Sequence, residues 1–264
     1  MTRAAVLVAV VVGLSSPVLA ADRLTDRDVK ALITLIEQGR DKFDDELDDK
    51  LKDSVVRQPA GEVNVKDVLN DFQESIDRVE ERLKPDYSAS AEVATLLRRG
   101  SGIDAFFRQQ PLGTKGESEW NRLASDLKVL AVAYGADFPL AANATVRRIG
   151  DGELVTTVSQ VAATGDQLKK SLDTDLKKHA TVSKEARQAA VADADQLMKD
   201  AKALRDRVKD EKPSSAEASK LLAQASKVQG FVDGHQMPVS AAAWKATAGH
   251  VQLVASAYGT PWPR

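Results

Sequence analysis

The sequence predicts an all-α protein built as two tandem up-and-down four-helix bundles that arose by internal duplication. Three observations carry that expectation. The 264-residue chain is dominated by Ala, Leu, Lys, Asp and Glu and is only 5% aromatic, and runs of β-branched residues hardly occur beyond its first residues, a composition that favours helix over sheet. Its apolar residues recur every three or four positions over long stretches, which places them on one stripe of a helix. The chain also repeats itself. At a shift of 125 positions, Arg23-Leu-Thr-Asp-Arg-Asp-Val falls on Arg148-Ile-Gly-Asp-Gly-Glu-Leu, Ser90-Ala-Glu on Ser215-Ala-Glu, and Leu96-Leu97 on Leu221-Leu222. One residue is then lost, and at a shift of 124 Trp120 meets Trp244, Tyr134-Gly meets Tyr258-Gly and Phe138-Pro meets Trp262-Pro. A repeat of this extent decides architecture ahead of local propensity.

Residues 1–20 read as a secretory signal peptide: Arg3 precedes a short apolar run, and Ser15-Ser-Pro-Val-Leu-Ala-Ala offers small residues for cleavage after Ala20. A short membrane anchor is the alternative. The expected location is the periplasm or the medium. Residues 21–140 then form the first copy, 141–147 a linker and 148–264 the second copy. The linker contains Asn143-Ala-Thr, a sequon that matters only in a host that glycosylates.

Helix one is expected to start near Thr25 or Asp26, to place Val29, Ile33, Ile36, Phe43, Leu47 and Leu51 on one face, and to reach about Val55 with a weak point at Gly39. Pro59 and Gly61 together bar it from passing Gln58. Its counterpart carries Leu154, Val158, Val161, Leu168, Leu172 and Leu176. Helix two has the cleanest period, Val65, Leu69, Phe72, Ile76, Val79 and Leu83. The matching seam in the second copy, Ala190, Ala194, Leu197, Ala201, Leu204 and Val208, is lined by smaller groups. Helix three carries Val93, Leu96, Leu97, Ile103, Phe106 and Phe107, and in the second copy opens on Ser214-Ser-Ala-Glu217, the spacing of a reciprocal capping box. Helix four repeats Trp120, Leu123, Leu127, Leu130 and Tyr134 as Trp244, Thr247, Val251, Val254 and Tyr258. Gly135 and Gly259 then stand where a helix ends in a left-handed residue, with an aromatic three positions on that can fold back over the bundle end.

Charge divides the copies. Residues 21–140 hold 18 Lys and Arg against 25 Asp and Glu, a formal −7, whereas residues 141–264 hold 18 against 14, a formal +4. The contrast is sharpest on the first helices, where Asp44 and Asp45 align with Lys169 and Lys170. One reading is two solvated faces that drifted apart. The other is a pair of opposite fields that draw the bundles together, within a chain or head to tail between chains; such attraction is screened beyond about 8–10 Å at ordinary salt.

Catalytic patterns are missing. The chain has no cysteine, which rules out disulfides, thiolate metal sites and Cys-x-x-Cys-His haem attachment. The Glu-x-x-His arrangement of di-iron bundles is absent, and no seam position is expected to turn a carboxylate inward. Neither a Gly-rich phosphate loop nor a serine-nucleophile signature occurs. His235 and Met237, in a loop, are the candidate soft-metal pair, short of a third ligand. His179 reads as an exposed helix-end residue and His250 as partly buried beside the last seam. The near-neutral net charge and the lack of basic stripes interleaved with aromatics argue against nucleic acid, and Trp120 and Trp244 read as core. No cofactor is expected.

In length, helix order and the aromatic tail after the last helix, each copy resembles the cytochrome c-prime family of exported four-helix bundles. In that family the last helix carries Cys-x-x-Cys-His. Here Ala131, Tyr134 and Gly135, or Ala255, Tyr258 and Gly259, take those places, so the resemblance implies a haem-free relative without the family's electron-transfer or gas-binding roles. The functional expectation is an exported, non-enzymatic bundle protein with an interaction or scaffold role in the cell envelope, its partner another envelope protein or its own copy. The alternative, from another class, is a small-ligand or haem-type binding bundle with a pocket between helices of the second copy.

Overall fold

The computed structural model describes residues 23–58, 61–109, 113–178, 182–235 and 237–262; the signal segment, Pro59 and His179 lie outside them. The described residues are all-α apart from one short hairpin. The first half comprises α1 (Asp26–Glu46), α2 (Asp49–Lys52), β1 (Val55–Gln58), β2 (Gly61–Asn64), α3 (Val65–Arg82), α4 (Ser90–Phe107) and α5 (Glu117–Ala133). The second comprises α6 (Asp151–Lys178), α7 (Lys184–Lys209), α8 (Ser215–Gly234) and α9 (Pro238–Ala257). In each half the four long helices pack in a ring, each against the one before and after it and the first against the last. That is the neighbour pattern of an up-and-down bundle. The two buried cores are separate, one drawn from Val29 to Leu140 and the other from Ile149 to Tyr258.

The first helix is shorter than its apolar face suggests. Thr25 starts α1 with a reciprocal capping box: its hydroxyl accepts the Asp28 N–H at 3.1 Å, and the Asp28 carboxylate accepts the Thr25 N–H at 3.0 Å. The helix passes Gly39 unbroken but stops at Glu46, where Leu47 turns extended and Asp48 caps the four-residue α2. The expected end near Val55 is therefore corrected, and charge supplies the reason. Asp44, Asp45 and Glu46 crowd the negative end of the helix dipole with no basic residue in the last turn, whereas α6 ends on Lys177 and Lys178 and runs 28 residues.

A strand pair, unforeseen in the sequence, follows. Val55 pairs with Asn64 and Gln58 with Gly61 in an antiparallel register. Residues β-branched at Val55, Val56 and Val63 suit extended backbone, and the Asn64 side chain then accepts the Lys66 N–H at 2.9 Å to cap α3. The second half carries longer helices in place of this hairpin.

Elsewhere the apolar stripes are placed as the periodicity requires. All six α3 seam residues, from Val65 to Leu83, and all six of α7, from Ala190 to Val208, are buried. The alanine-lined seam is closed by near approach: a Cβ added to Gly165 of α6 would stand 2.9 Å from Met198 Cγ on α7. Gly249 of α9 has no atom within 4 Å of such a Cβ. Gly249→Ala should accordingly raise stability by about 0.5–1 kcal/mol in urea denaturation, through helix propensity alone.

Each bundle ends alike. Gly135 and Gly259 have φ of 68° and 60°, and the N–H groups of Ala136 and Thr260 reach back to the Ala131 and Ala255 carbonyls, both at 2.9 Å, closing Schellman turns. Phe138 folds back to within 3.3 Å of a Cβ placed on Gly100, and Trp262 packs on the second core. The Trp120 indole donates to Asp104 at 3.2 Å and the Trp244 indole to Gln229; the two acceptors are 125 positions apart.

The capping box expected at Ser214 does not form. Ser214 is the N-cap of α8 without a side-chain cap bond, and its hydroxyl lies 2.6 Å from the Tyr258 hydroxyl instead. The matching Tyr134 donates to the Ser88 carbonyl at 2.6 Å. Two carboxylates also turn inward, contrary to expectation. Asp104 holds Trp120 and Arg108, and Asp175 accepts both the Ser240 N–H and hydroxyl at 2.8 Å, tying α6 to the start of α9. The buried Trp120 and Ser240 donors would otherwise be left without acceptors.

Candidate functional site

The charged residues singled out on the first helices do not meet across the bundles. Asp44 pairs with Lys52 at 3.6 Å, Lys169 with Asp195 on α7 at 2.8 Å, and Lys170 with Asp166 at 2.7 Å. Asp45 is exposed. Each charge is balanced, where it is balanced, inside its own bundle. The His235–Met237 pair is drawn apart in role: His235 Nδ1 is 2.8 Å from the Phe231 carbonyl with its ring stacked on Phe231 at 4.4 Å, while Met237 is buried in the core. His250 is half-buried. Among the described residues no group of three or more His, Cys, Asp or Glu could hold a metal ion. Ala131, Tyr134, Ala255 and Tyr258 are buried core residues and offer no thiol or imidazole to a haem.

What joins the bundles is the Arg-x-x-Asp that heads each copy. Arg23 forms an ion pair with Asp151, and Arg148 with Asp26. Arg148 also donates to the Leu24 carbonyl at 2.8 Å and Arg23 to the Ile149 carbonyl at 2.5 Å. The two carboxylates cross as well: the Asp26 N–H donates to Asp151 at 2.7 Å, and the Asp151 N–H to Asp26 at 2.9 Å. The six bonds form three pairs, and the 125-position shift carries one bond of each pair onto the other. The contact is thus self-complementary in the manner of a two-fold dimer interface, here within one chain. Each carboxylate sits at the N-terminus of the other bundle's first helix, where exposed N–H groups favour negative charge.

Burial gives the clasp its weight, since the Arg148 and Arg23 side chains are only 3% and 8% exposed. The surrounding chain fixes it. Ser88 donates to the Arg148 carbonyl at 2.9 Å, the Arg147 N–H to the Tyr134 carbonyl at 3.0 Å, and the Arg148 guanidinium lies 6.0 Å over the Tyr134 ring. Tyr134-Gly therefore closes the first bundle and seats the segment entering the second.

Burial pushes the Tyr134 phenol up to about 12, against the opposing pull of Arg148. A pKa raised on folding means that the neutral phenol stabilises the fold in full below about pH 10, the unfolded value, and that this contribution disappears as pH rises toward 12. Urea denaturation between pH 9 and 12 should show stability falling over that window, with a shallower fall in Tyr134→Phe.

Beside the clasp lies an open cleft of about 750 Å³ between the bundles. Asp26 and Asp151 form part of its floor, and the first turns of α1 and the last turns of α7 supply Arg27, Lys30, Arg205 and Lys209. A second groove of about 470 Å³, on the side of Arg23 and Tyr258, is bordered by the exposed Val129 and Val132. No helix of the described residues is long and apolar enough to cross a membrane. Comparison with protein-family models, with characterised proteins and with solved structures returns no match to this chain.

Proposed function

We propose that this chain is an exported, non-enzymatic interaction protein of the cell envelope, in which a clasp holds two bundles of opposite charge as one body. The observation that supports this reading is the reciprocal Arg23–Asp151 and Arg148–Asp26 exchange. It joins the bundles without using the acidic end of α1 or the outer faces of α6, and so leaves those faces for a partner. The lack of a serine-nucleophile signature in the sequence and the structural duties of the buried Asp104 and Asp175 fit the same reading.

The test is in-cell photo-crosslinking from a probe amino acid at Asp45, with a matched probe at Gly249 on the far helix. A discrete adduct from the Asp45 probe that is lost when the neighbouring Asp44 is changed to Lys supports the reading. Equal labelling from both positions, or none from either, overturns it.

A further inference from the structure

We propose that the cleft beside the clasp binds a small polyanion, one that carries at least two phosphate or carboxylate groups. Four cations from both bundles line it, Arg27 and Lys30 from α1 and Arg205 and Lys209 from α7, together with the carboxylates Asp26, Asp151, Asp206 and Glu211. Arg27 faces Glu211 at 3.7 Å and Arg205 is held by Asp206 at 2.8 Å. Lys30 and Lys209 form no ion pair among the described residues. The floor carboxylates Asp26 and Asp151 do not compete for them, because both are already engaged by Arg148 and Arg23.

The duplication provides an internal comparison. At the positions matching Arg27, Lys30, Arg205 and Lys209 the other copy has Gly152, Val155, Glu80 and Lys84. One cation and a glutamate stand where the cleft has four cations. Gly152 and Val155 line the same cleft, so its cations come from α1 and α7 and not from α6. Ammonium groups from two bundles, with an apolar wall at Val155 and Val208, suit an anion with separated charges better than a single phosphate.

Calorimetric titration of the chain from Ala21 onward, with inorganic tripolyphosphate and separately with citrate at low salt, tests this. The expected result is one saturable site with a dissociation constant below about 1 mM for at least one of the two. The double variant Lys30→Gln/Lys209→Gln should weaken it by about tenfold or more, and Val155→Lys should tighten it. The double variant Lys220→Gln/Lys227→Gln on α8 should leave it unchanged. All of these positions but Val155 are exposed, so near-ultraviolet circular dichroism should match the parent. Preference between the two anions assigns phosphate or carboxylate. Absence of saturable binding by either, or equal weakening in both double variants, overturns the site. The cleft lies apart from the Asp45 face, so this outcome is independent of the crosslinking result.

Discussion

Arg148→Ala should cost about 3–5 kcal/mol. The side chain is 3% exposed and its partner Asp26 is 13% exposed, so truncation leaves a carboxylate out of water with one backbone N–H in place of a guanidinium. The Leu24 carbonyl loses a charged donor in the same step. The size of the effect comes from the charge left behind rather than from the pair's intrinsic value, and a second substitution separates the two. Asp26→Asn on the Arg148→Ala background should recover part of the loss, because the orphaned charge is gone, and the double-mutant cycle should show coupling of about 0.5–3 kcal/mol. Urea denaturation followed by far-ultraviolet circular dichroism reads these values. It should also split into two transitions in the variant, since bundles with separate cores unfold independently once uncoupled. A loss below about 1 kcal/mol, the range of a surface pair, would show that the clasp is not closed.

The helices and their buried faces were legible because periodicity reports a local property: every α3 and α5 seam residue singled out by spacing is buried. The clasp was half legible. Arg23 with Asp26, and Arg148 with Asp151, stand at the head of both copies and served only to align them. That they exchange partners depends on how the linker directs the second bundle, which spacing does not encode. The charge contrast at Asp44, Asp45, Lys169 and Lys170 pointed to a real difference but to another consequence. In the structure it accompanies the early end of α1 and the unbroken run of α6, an effect of dipole and charge within each helix. The hairpin at Val55–Asn64 escaped because two four-residue strands leave no alternation long enough to set against an apolar helical face. Asp104 and Asp175 escaped for a different reason. Their acceptors serve an indole and a helix N-terminus brought close only by packing, so nothing in their immediate neighbours marks them as buried.

Gly152→Ala discriminates between propensity and packing, because the two predict opposite signs. Gly152 lies in the first turn of α6, and by helix propensity alone alanine should stabilise it by about as much as at Gly249. A Cβ there would run into the Pro85 carbonyl oxygen and stand 3.1 Å from its carbon. These are backbone atoms, in a turn tied by mutual bonds between Lys84 and Tyr87 at 3.0 and 2.9 Å, and they cannot swing aside as Met198 can beside Gly165. The bundles must separate to admit the methyl group. Because the neighbouring Asp151 N–H and carboxylate belong to the clasp, separation by an ångström lengthens its bonds as well. The expected result is a loss of about 1–3 kcal/mol and less than additive effects with Arg148→Ala, since both open the same contact. A gain equal to that of Gly249→Ala would mean that the bundles do not approach this closely. The matching position in the first copy is Arg27, which faces Glu211 across the open side of the cleft. One copy has a residue with no side chain where the bundles close, and the other a long cation where they part, so the same substitution pair that lets the clasp shut also leaves room for the positive cleft beside it.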